Sequence, residues 1–198
     1  MRGEMLDYNT TEVKVRSKDK ASPGSTSLCD RLRTHFIAWL HGIDCGTNIV
    51  FKQNITISKV KDSPFSIGDN SLIHRDCWFL LTMPSPKLSI GRNVNIGAYS
   101  IIAAKNHIEI GDFSVLAPYC YVIDHEHGFA PDDLILNQNS IIKDVVIGRD
   151  CYLGAGTMVL AGSTIGDGAI IGARSVVKGD IPSGEVWAGN PARFIRKR

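Results

Sequence analysis

The chain has 198 residues, enough for one sizeable core, and a formal net charge of +2, too mild a balance for a nucleic-acid-binding surface. Its longest apolar run falls well short of the roughly 18 residues that a membrane span needs, and no cationic patch followed by an apolar stretch marks a secretory leader. Five scattered cysteines, Cys29, Cys45, Cys77, Cys120 and Cys151, form no close pair; they argue against a disulfide framework and for a reducing cytoplasm.

Residues 1–27 are polar, mixed in charge and aperiodic, and read as a flexible arm. Leu28, Leu32, Phe36, Ile37 and Leu40 then recur at helical spacing, with Arg31, Arg33 and His35 between them and Gly42 as the stop. Two roles fit this helix. Its stripe could lie on a membrane surface with Trp39 at the interface; the preferred expectation is a cap over the open end of the domain that begins at Gly42. Residues 1–41 are therefore arm and cap, and residues 42–198 one domain.

From Gly42 a six-residue period sets in. Ile147, Leu153, Val159, Ile165, Ile171 and Val177 stand six apart, with Gly148, Gly154, Gly166 and Gly172 directly behind four of them. Four residues after each of the first five comes a small or slender side chain: Cys151, Thr157, Ser163, Ala169 and Ser175. A second run, Ile90, Ile96 and Ile102, slips by two residues and resumes at Ile110, Leu116 and Val122; fainter rungs fall at Ile43, Ile49 and Ile55, and at Ile67, Ile73 and Phe79. A strand alone gives period two and a helix about 3.6. A strict six needs a short strand plus a tight turn, the aliphatic pointing inward and the glycine tolerating the corner. Such units bury their apolar side only by stacking, with strands about 4.8 Å apart. Three sides make an eighteen-residue coil, and residues 43–180 supply six or seven coils. The hexad fails over residues 128–144, a loop thrown out of the prism, and more briefly from Leu80 to Lys87, around Pro84 and Pro86.

Three stretches carry a resemblance to a known family: Ile110-Gly-Asp-Phe-Ser-Val-Leu-Ala-Pro118 with the following Tyr-Cys-Tyr-Val-Ile-Asp-His-Glu-His127; Val146-Ile-Gly-Arg-Asp-Cys-Tyr-Leu-Gly-Ala-Gly156; and Ala188-Gly-Asn-Pro-Ala-Arg193. In these the chain resembles the left-handed β-helix hexapeptide-repeat acyltransferases, and most of all the maltose, galactoside and bacterial polysaccharide O-acetyltransferases. The resemblance implies an all-β, left-handed parallel β-helix. It implies acetyl-CoA as acyl donor, a sugar hydroxyl as acceptor, no metal, and a homotrimer with sites between neighbouring prisms, the 128–144 loop reaching the next subunit.

Transfer of an acetyl group to a hydroxyl needs a base, and a neutral histidine suits that task near neutral pH. The family's catalytic position falls on His127; His125, two residues away on the same face of an extended strand, is the second candidate. Asp124 or Glu126 could orient the base, although alternation places both on the opposite face, and Asp124 is also a candidate contact for the acceptor. A His-x-His metal site would need His74 or His107 as third ligand, and neither has the spacing of the related zinc β-helices. Where the sugar acetyltransferases carry an asparagine near the thioester oxygen, this chain has Gly97, so a backbone N–H would take the role or the acceptor chemistry differs. Tyr152 replaces the aromatic, usually tryptophan, that walls the acceptor site. The resemblance puts pantetheine contacts near Ala155, Ala173, Lys178 and Gly179, and nucleotide-phosphate contacts on Arg193 and Arg196. Two other readings stay open: N-acetylation of a nucleotide-linked amino sugar or O-acetylation of an antibiotic, and a non-catalytic β-helix assembly subunit.

Overall fold

The computed structural model describes residues 27–82 and 84–198. The arm expected over residues 1–27 lies outside the described residues except for Ser27, which caps helix α1. In α1 (Leu28–His41) the Ser27 hydroxyl accepts the N–H of Asp30, and Gly42, at φ 56°, closes the far end with its N–H on the carbonyls of Ala38 and Trp39.

After the helix the chain winds into a parallel β-solenoid of three faces. Among the described residues the first face carries seven strands, the second eight and the third six, and neighbouring strands of a face come from successive coils, apart from the last strand of the second face, which returns antiparallel. In the last coils Val146 pairs with Thr164, Tyr152 with Ile170 and Met158 with Val176, an eighteen-residue step on every face. The expected rungs point inward: Ile147, Leu153, Val159, Ile171 and Val177 are wholly buried, and Ile165 is 1% exposed. Burying each such side chain contributes roughly 1.5–3 kcal/mol, and no coil achieves it alone. The slipped run is also in register, with Ile90 on Ile110, Ile96 on Leu116 and Ile102 on Val122.

Two details of the repeat differ from expectation. The rungs of the first coil are Cys45, Phe51 and Ile57, which pair with Ile67, Ile73 and Phe79, not Ile43, Ile49 and Ile55. Those isoleucines occupy positions that neighbouring coils give partly to small residues. In the first coil no earlier coil crowds these positions, and Ile43 instead joins the helix, its N–H donating to Ala38 O at 2.9 Å. The glycine behind each rung also has a different task. The left-handed residue lies two positions further on, at Asp150 (φ 55°), Gly156 (φ 73°), Gly168 (φ 70°) and Arg174 (φ 56°). Gly154 is required by contact: a Cβ there would stand 2.5 Å from the backbone nitrogen of Ala173 in the next coil.

The small corner residues satisfy carbonyls that the turns leave over. Ser71 donates to Gly91 O, Ser114 to Gly148 O and Thr157 to Gly154 O, at 2.7–2.9 Å. Cys77, Cys120 and Cys151 stand in equivalent places, their thiols 3.2–3.5 Å from the carbonyls of Gly97, Gly154 and Gly166.

Helix α1 covers the first pole, but with its polar side. The edge strand there leaves the N–H and C=O of Phe51 without a strand partner; Thr34 Oγ1 accepts the former at 2.9 Å, and Arg33 donates to the latter at 3.3 Å. Asp30, 8% exposed, binds both Arg33 (2.7 Å) and Lys52 (2.9 Å). Unpaired backbone groups at a solenoid end demand such partners, so polar side chains turn inward beside Ile37 and Ala38. The stripe Leu28, Leu32, Phe36, Trp39 and Leu40 faces outward. At the other pole Glu185–Ala188 pairs antiparallel with Arg193–Lys197, and Trp187 packs edge-on against Phe194.

Candidate active site

The chain leaves the third face after the strand Tyr121–Ile123. Asp124, wholly buried, forms a bend and anchors everything beyond it. Its carboxylate accepts the backbone N–H of Lys105 at 2.8 and 3.0 Å and of Asn106 at 2.7 Å. Its carbonyl accepts the N–H of Lys143, and its own N–H donates to Ala103 O. The same carboxylate lies 2.9 Å from His125 Nδ1. A carboxylate already taking several N–H donors acts as acceptor, so Nδ1 is the donor in this contact.

This corrects two expectations. Alternation held Asp124 away from the histidines; the bend cancels it, and Asp124 orients His125 directly. Asp124 was also a candidate for touching the acceptor, which full burial and its polar contacts to Lys105, Asn106 and His125 forbid.

His125–Glu126 then pairs antiparallel with Ile141–Ile142, so the excursion over residues 128–144 leaves and returns as a short ribbon. His127 follows the ribbon, exposed, and makes no hydrogen bond among the described residues. Next comes Gly128, where a Cβ would lie 2.7 Å from Asn139 O of the returning arm. Gln138 ties the loop internally, accepting from Ala130 N at 2.7 Å and donating to the carbonyls of Ala130 and Asp133 at 2.9 Å. Lys105 Nζ to Ser140 Oγ (2.7 Å) and Asn106 Nδ2 to Asp144 Oδ1 (2.6 Å) fasten its base to the preceding coil. Between these anchors the loop carries Phe129, Leu134, Ile135 and Leu136, all more than half exposed.

Gly97 is buried, and a Cβ there would sit 2.5 Å from the carbonyl carbon of Ala117. Its N–H already donates to Leu116 O at 2.7 Å, so that amide is not open to a thioester oxygen. Tyr152 stands 46% exposed on the second face. Ala155 and Ala173 stack on the corner between the second and third faces, where Arg174 N donates to Ala155 O. Lys178 follows Val177, which stacks through Val159 on Val122; it therefore lies two coils, about 10 Å, from the strand end that leads into Asp124. Lys178 is exposed and Gly179, at φ 95°, half-buried. Arg193 and Arg196 lie on the exposed C-terminal strand, their guanidinium groups donating to the carbonyls of Ala192 and Lys197. Neither forms an ion pair among the described residues.

Burial pushes the thiols of Cys77 and Cys120 up to about 11 and raises that of Cys151, the reverse of what a nucleophile requires. Among the described residues no three His, Cys, Asp or Glu side chains converge as metal ligands. His74 and His107 lie on the prism wall, and neither joins the pair at 125 and 127.

Sequence reasoning passed over Lys105 and Asn106. The signal was present: the two-residue slip between Ile102 and Ile110 is the insertion whose amides hold Asp124.

The chain matches the family model for bacterial transferase hexapeptide (six repeats) over residues 135–179, and that for the hexapeptide repeat of succinyl-transferase over residues 87–117. It is 34% identical over 163 residues to the "Putative colanic acid biosynthesis acetyltransferase WcaF" of Escherichia coli (strain K12), covering 82% of this chain and 74% of that one. To the galactoside O-acetyltransferase of the same organism it is 29% identical over 140 residues, covering 71% and 67%. Two further curated relatives match over only 37% and 58% of their own length. Among solved structures, a point mutant of AntD, an N-acyltransferase from Bacillus cereus in complex with dTDP-4-amino-4,6-dideoxyglucose and coenzyme A, superposes with TM-score 0.66 at 25% identity, covering 85% of this chain and 88% of that one. The six-residue period, the three-faced solenoid it builds and relatives that share both over most of their length make this chain a member of the hexapeptide-repeat acyltransferase family.

Proposed function

We propose that the protein transfers an acetyl group from acetyl-CoA to a hydroxyl of a sugar, in the biosynthesis of a bacterial surface polysaccharide. The observation that carries this reading is the histidine pair at the root of the loop: His125 held by buried Asp124, and His127 beside it, exposed and without a hydrogen-bond partner among the described residues. His127 is the base. Its neutral imidazole takes the proton from the acceptor hydroxyl as oxygen attacks the thioester carbonyl. The new C–O bond forms, the C–S bond breaks, and the imidazolium returns the proton to the departing thiolate. His125 and Asp124 fix the strand that presents His127.

The coenzyme runs past Ala155 and Ala173 toward Lys178 and Gly179, with Arg193 and Arg196 free to meet its phosphates. The protein acts as a homotrimer in the cytoplasm, and the exposed apolar loop residues 129–136 lie against the neighbouring subunit, where Tyr152 walls the acceptor. The names of the relatives, a colanic acid biosynthesis acetyltransferase and a galactoside O-acetyltransferase, support a sugar acceptor.

The test is acetyl-CoA-dependent thiol release with a panel of sugar acceptors. His127→Ala lowers turnover about 10²–10⁴-fold, while His125→Ala gives a smaller loss. Survival of full activity in His127→Ala overturns the assignment. Absence of coenzyme A binding to the wild type overturns the enzymatic reading and leaves a non-catalytic assembly subunit. The likeness to AntD, solved with a nucleotide-linked amino sugar, supports a second reading in which the attacking atom is an amine nitrogen. A panel holding both acceptor kinds separates the two.

A further inference from the structure

The corner between the second and third faces carries a column of side chains that is interrupted at one rung. Asn54, Asp76, Tyr99, Tyr119, Gly156 and Arg174, one per coil, all stand in the left-handed conformation, at φ between 56° and 73°. They stack directly: the N–H of Tyr119 donates to Ala98 O, that of Gly156 to Pro118 O and that of Arg174 to Ala155 O. Asparagine, aspartate and glycine take this conformation most easily, and a bulky residue in it is costly. Two successive tyrosines accept that cost. Their rings lie parallel, 5.0 Å apart and tilted by 6°, and the Arg75 guanidinium of the preceding coil sits 5.2 Å from the Tyr99 centroid. At the other end Tyr119 is 62% exposed, and the next rung is Gly156, which brings no side chain. Only atoms of Arg174 come within 4 Å of the place a Cβ at 156 would take. Arg174 is exposed, and its guanidinium has no ion pair or hydrogen bond among the described residues.

The corner between the first and second faces shows how such a column is filled. There Phe113 lies between Arg92 of the coil before and Arg149 of the coil after, 5.5 and 5.2 Å from its centroid. Tyr119 and Arg174 stand two coils apart, about 10 Å. A flat ring in the rung of Gly156 would lie about 5 Å from each, within the range of aromatic stacking and of cation–π contact. Mutual stacking accounts for the two tyrosines, but not for the vacant rung or for the unpaired cation beyond it. A nucleotide answers both, its base continuing the stack and its phosphate meeting the N–H edge of Arg174. We infer that the rung of Gly156 is a nucleotide site, the base held between the Tyr119 ring and the Arg174 guanidinium. Coenzyme A and a nucleotide-linked sugar both carry such a base; the site itself does not rest on the proposed reaction.

The experiment is calorimetric titration of the full chain with coenzyme A, dTDP and UDP, and with inorganic pyrophosphate as the control that lacks a base. At least one nucleotide binds, its base protons shifted upfield in NMR spectra by the stacked ring, and pyrophosphate binds at least about tenfold more weakly. Asparagine suits the conformation at both rungs, so Tyr119→Asn and Gly156→Asn keep their circular dichroism. The first removes the platform and the second fills the gap, and each lowers nucleotide affinity at least about tenfold; Tyr119→Phe retains it. A loss seen with coenzyme A names adenine as the base, and one seen with dTDP or UDP names that of a nucleotide-linked acceptor. Full affinity in both asparagine variants overturns the inference, as does a wild type that binds no nucleotide or binds pyrophosphate as tightly. So does an assembly, sized without ligand, that dissociates in Tyr119→Asn, because the column is then a contact between copies. His127→Ala leaves this binding unchanged, which separates a failure of the site from a failure of the proposed reaction.

Discussion

The carboxylate of Asp124 closes on the backbone N–H of Lys105 at 2.8 Å, across the gap left where the repeat slips by two residues. One buried residue thereby joins the inserted turn and the ring of His125 through its carboxylate, and the return arm of the loop through its carbonyl, which accepts the N–H of Lys143. Replacing it with alanine takes the acceptor from the part-buried N–H groups of Lys105 and Asn106, at a cost of up to about 1–3 kcal/mol each. Asp124→Ala is expected to lose at least about 2 kcal/mol in denaturant unfolding and most of its acetyl transfer. Asp124→Asn, which keeps an acceptor, retains more of the stability. Equal stability in Asp124→Ala and wild type would remove the anchor from the account.

Gly97 invites a test of what the corner tolerates. An asparagine at this position would drive a Cβ into the backbone at Ala117 and Pro118. Gly97→Asn and Gly97→Ala are both expected to lower the melting temperature, by an amount equivalent to about 2 kcal/mol or more, without raising activity. A variant as stable as the parent shows that the two coils can separate there.

The cysteines divide by reactivity. Burial raises the thiols of Cys77 and Cys120 to about 11 and that of Cys45 likewise to about 11, while Cys29 is exposed. A disulfide reagent at pH 8 should label Cys29 first, and Cys77, Cys120 and Cys151 only after unfolding. Serine at 77, 120 or 151 can make the same bond to the corner carbonyl, and acetyl transfer in those variants stays within about threefold of wild type. Abolition of turnover by Cys151→Ser would point to a covalent intermediate instead.

Lys52, and after it Arg33, hold the carboxyl of Asp30 below its ordinary 3.8 against the opposing effect of burial. An acid lowered on folding contributes stability that is complete above the unfolded value and lost as pH falls through the folded one. Asp30→Asn is therefore expected to melt below wild type at pH 7, with the gap closing in the acid range below about 3.8. A gap that persists unchanged at pH 2 would assign the stability to shape rather than charge.

Arg193 and Arg196 have no carboxylate partner among the described residues, in keeping with the phosphate-binding role proposed for them. Substituting both with alanine should raise KM for acetyl-CoA about tenfold with kcat little changed, the signature of uniform binding loss. A fall in kcat alone would contradict a role at the phosphates.

How much of this was legible follows from which forces leave a mark on sequence. Inward rungs must be aliphatic, so Ile147 to Val177 announced the three-sided coil. The corner positions tolerate anything slender, and at the uncrowded first coil even isoleucine, which displaced the reading there by two residues from Phe51 and Ile57. The histidines were visible because the period breaks around them. Their support was not: strict alternation separates Asp124 from His125, and only the bend held by amides nineteen and eighteen residues upstream in sequence brings them together. The outward stripe of α1 was legible as a stripe, but its direction depends on Phe51, whose unpaired backbone draws the polar side inward.

The hairpin at the far pole bears on how large an assembly the chain can build. A stack of parallel coils ends on a bare ladder of N–H and C=O groups, on which another copy could grow without limit. Here the chain turns back through Glu185–Ala188 and lays Arg193–Lys197 over that ladder in the opposite sense. Every residue of the covering strand is exposed, and three of its five are cationic. A second copy arriving edge-on at that face meets a strand of opposite direction that carries Arg193, Arg196 and Lys197, which opposes growth of the ladder there.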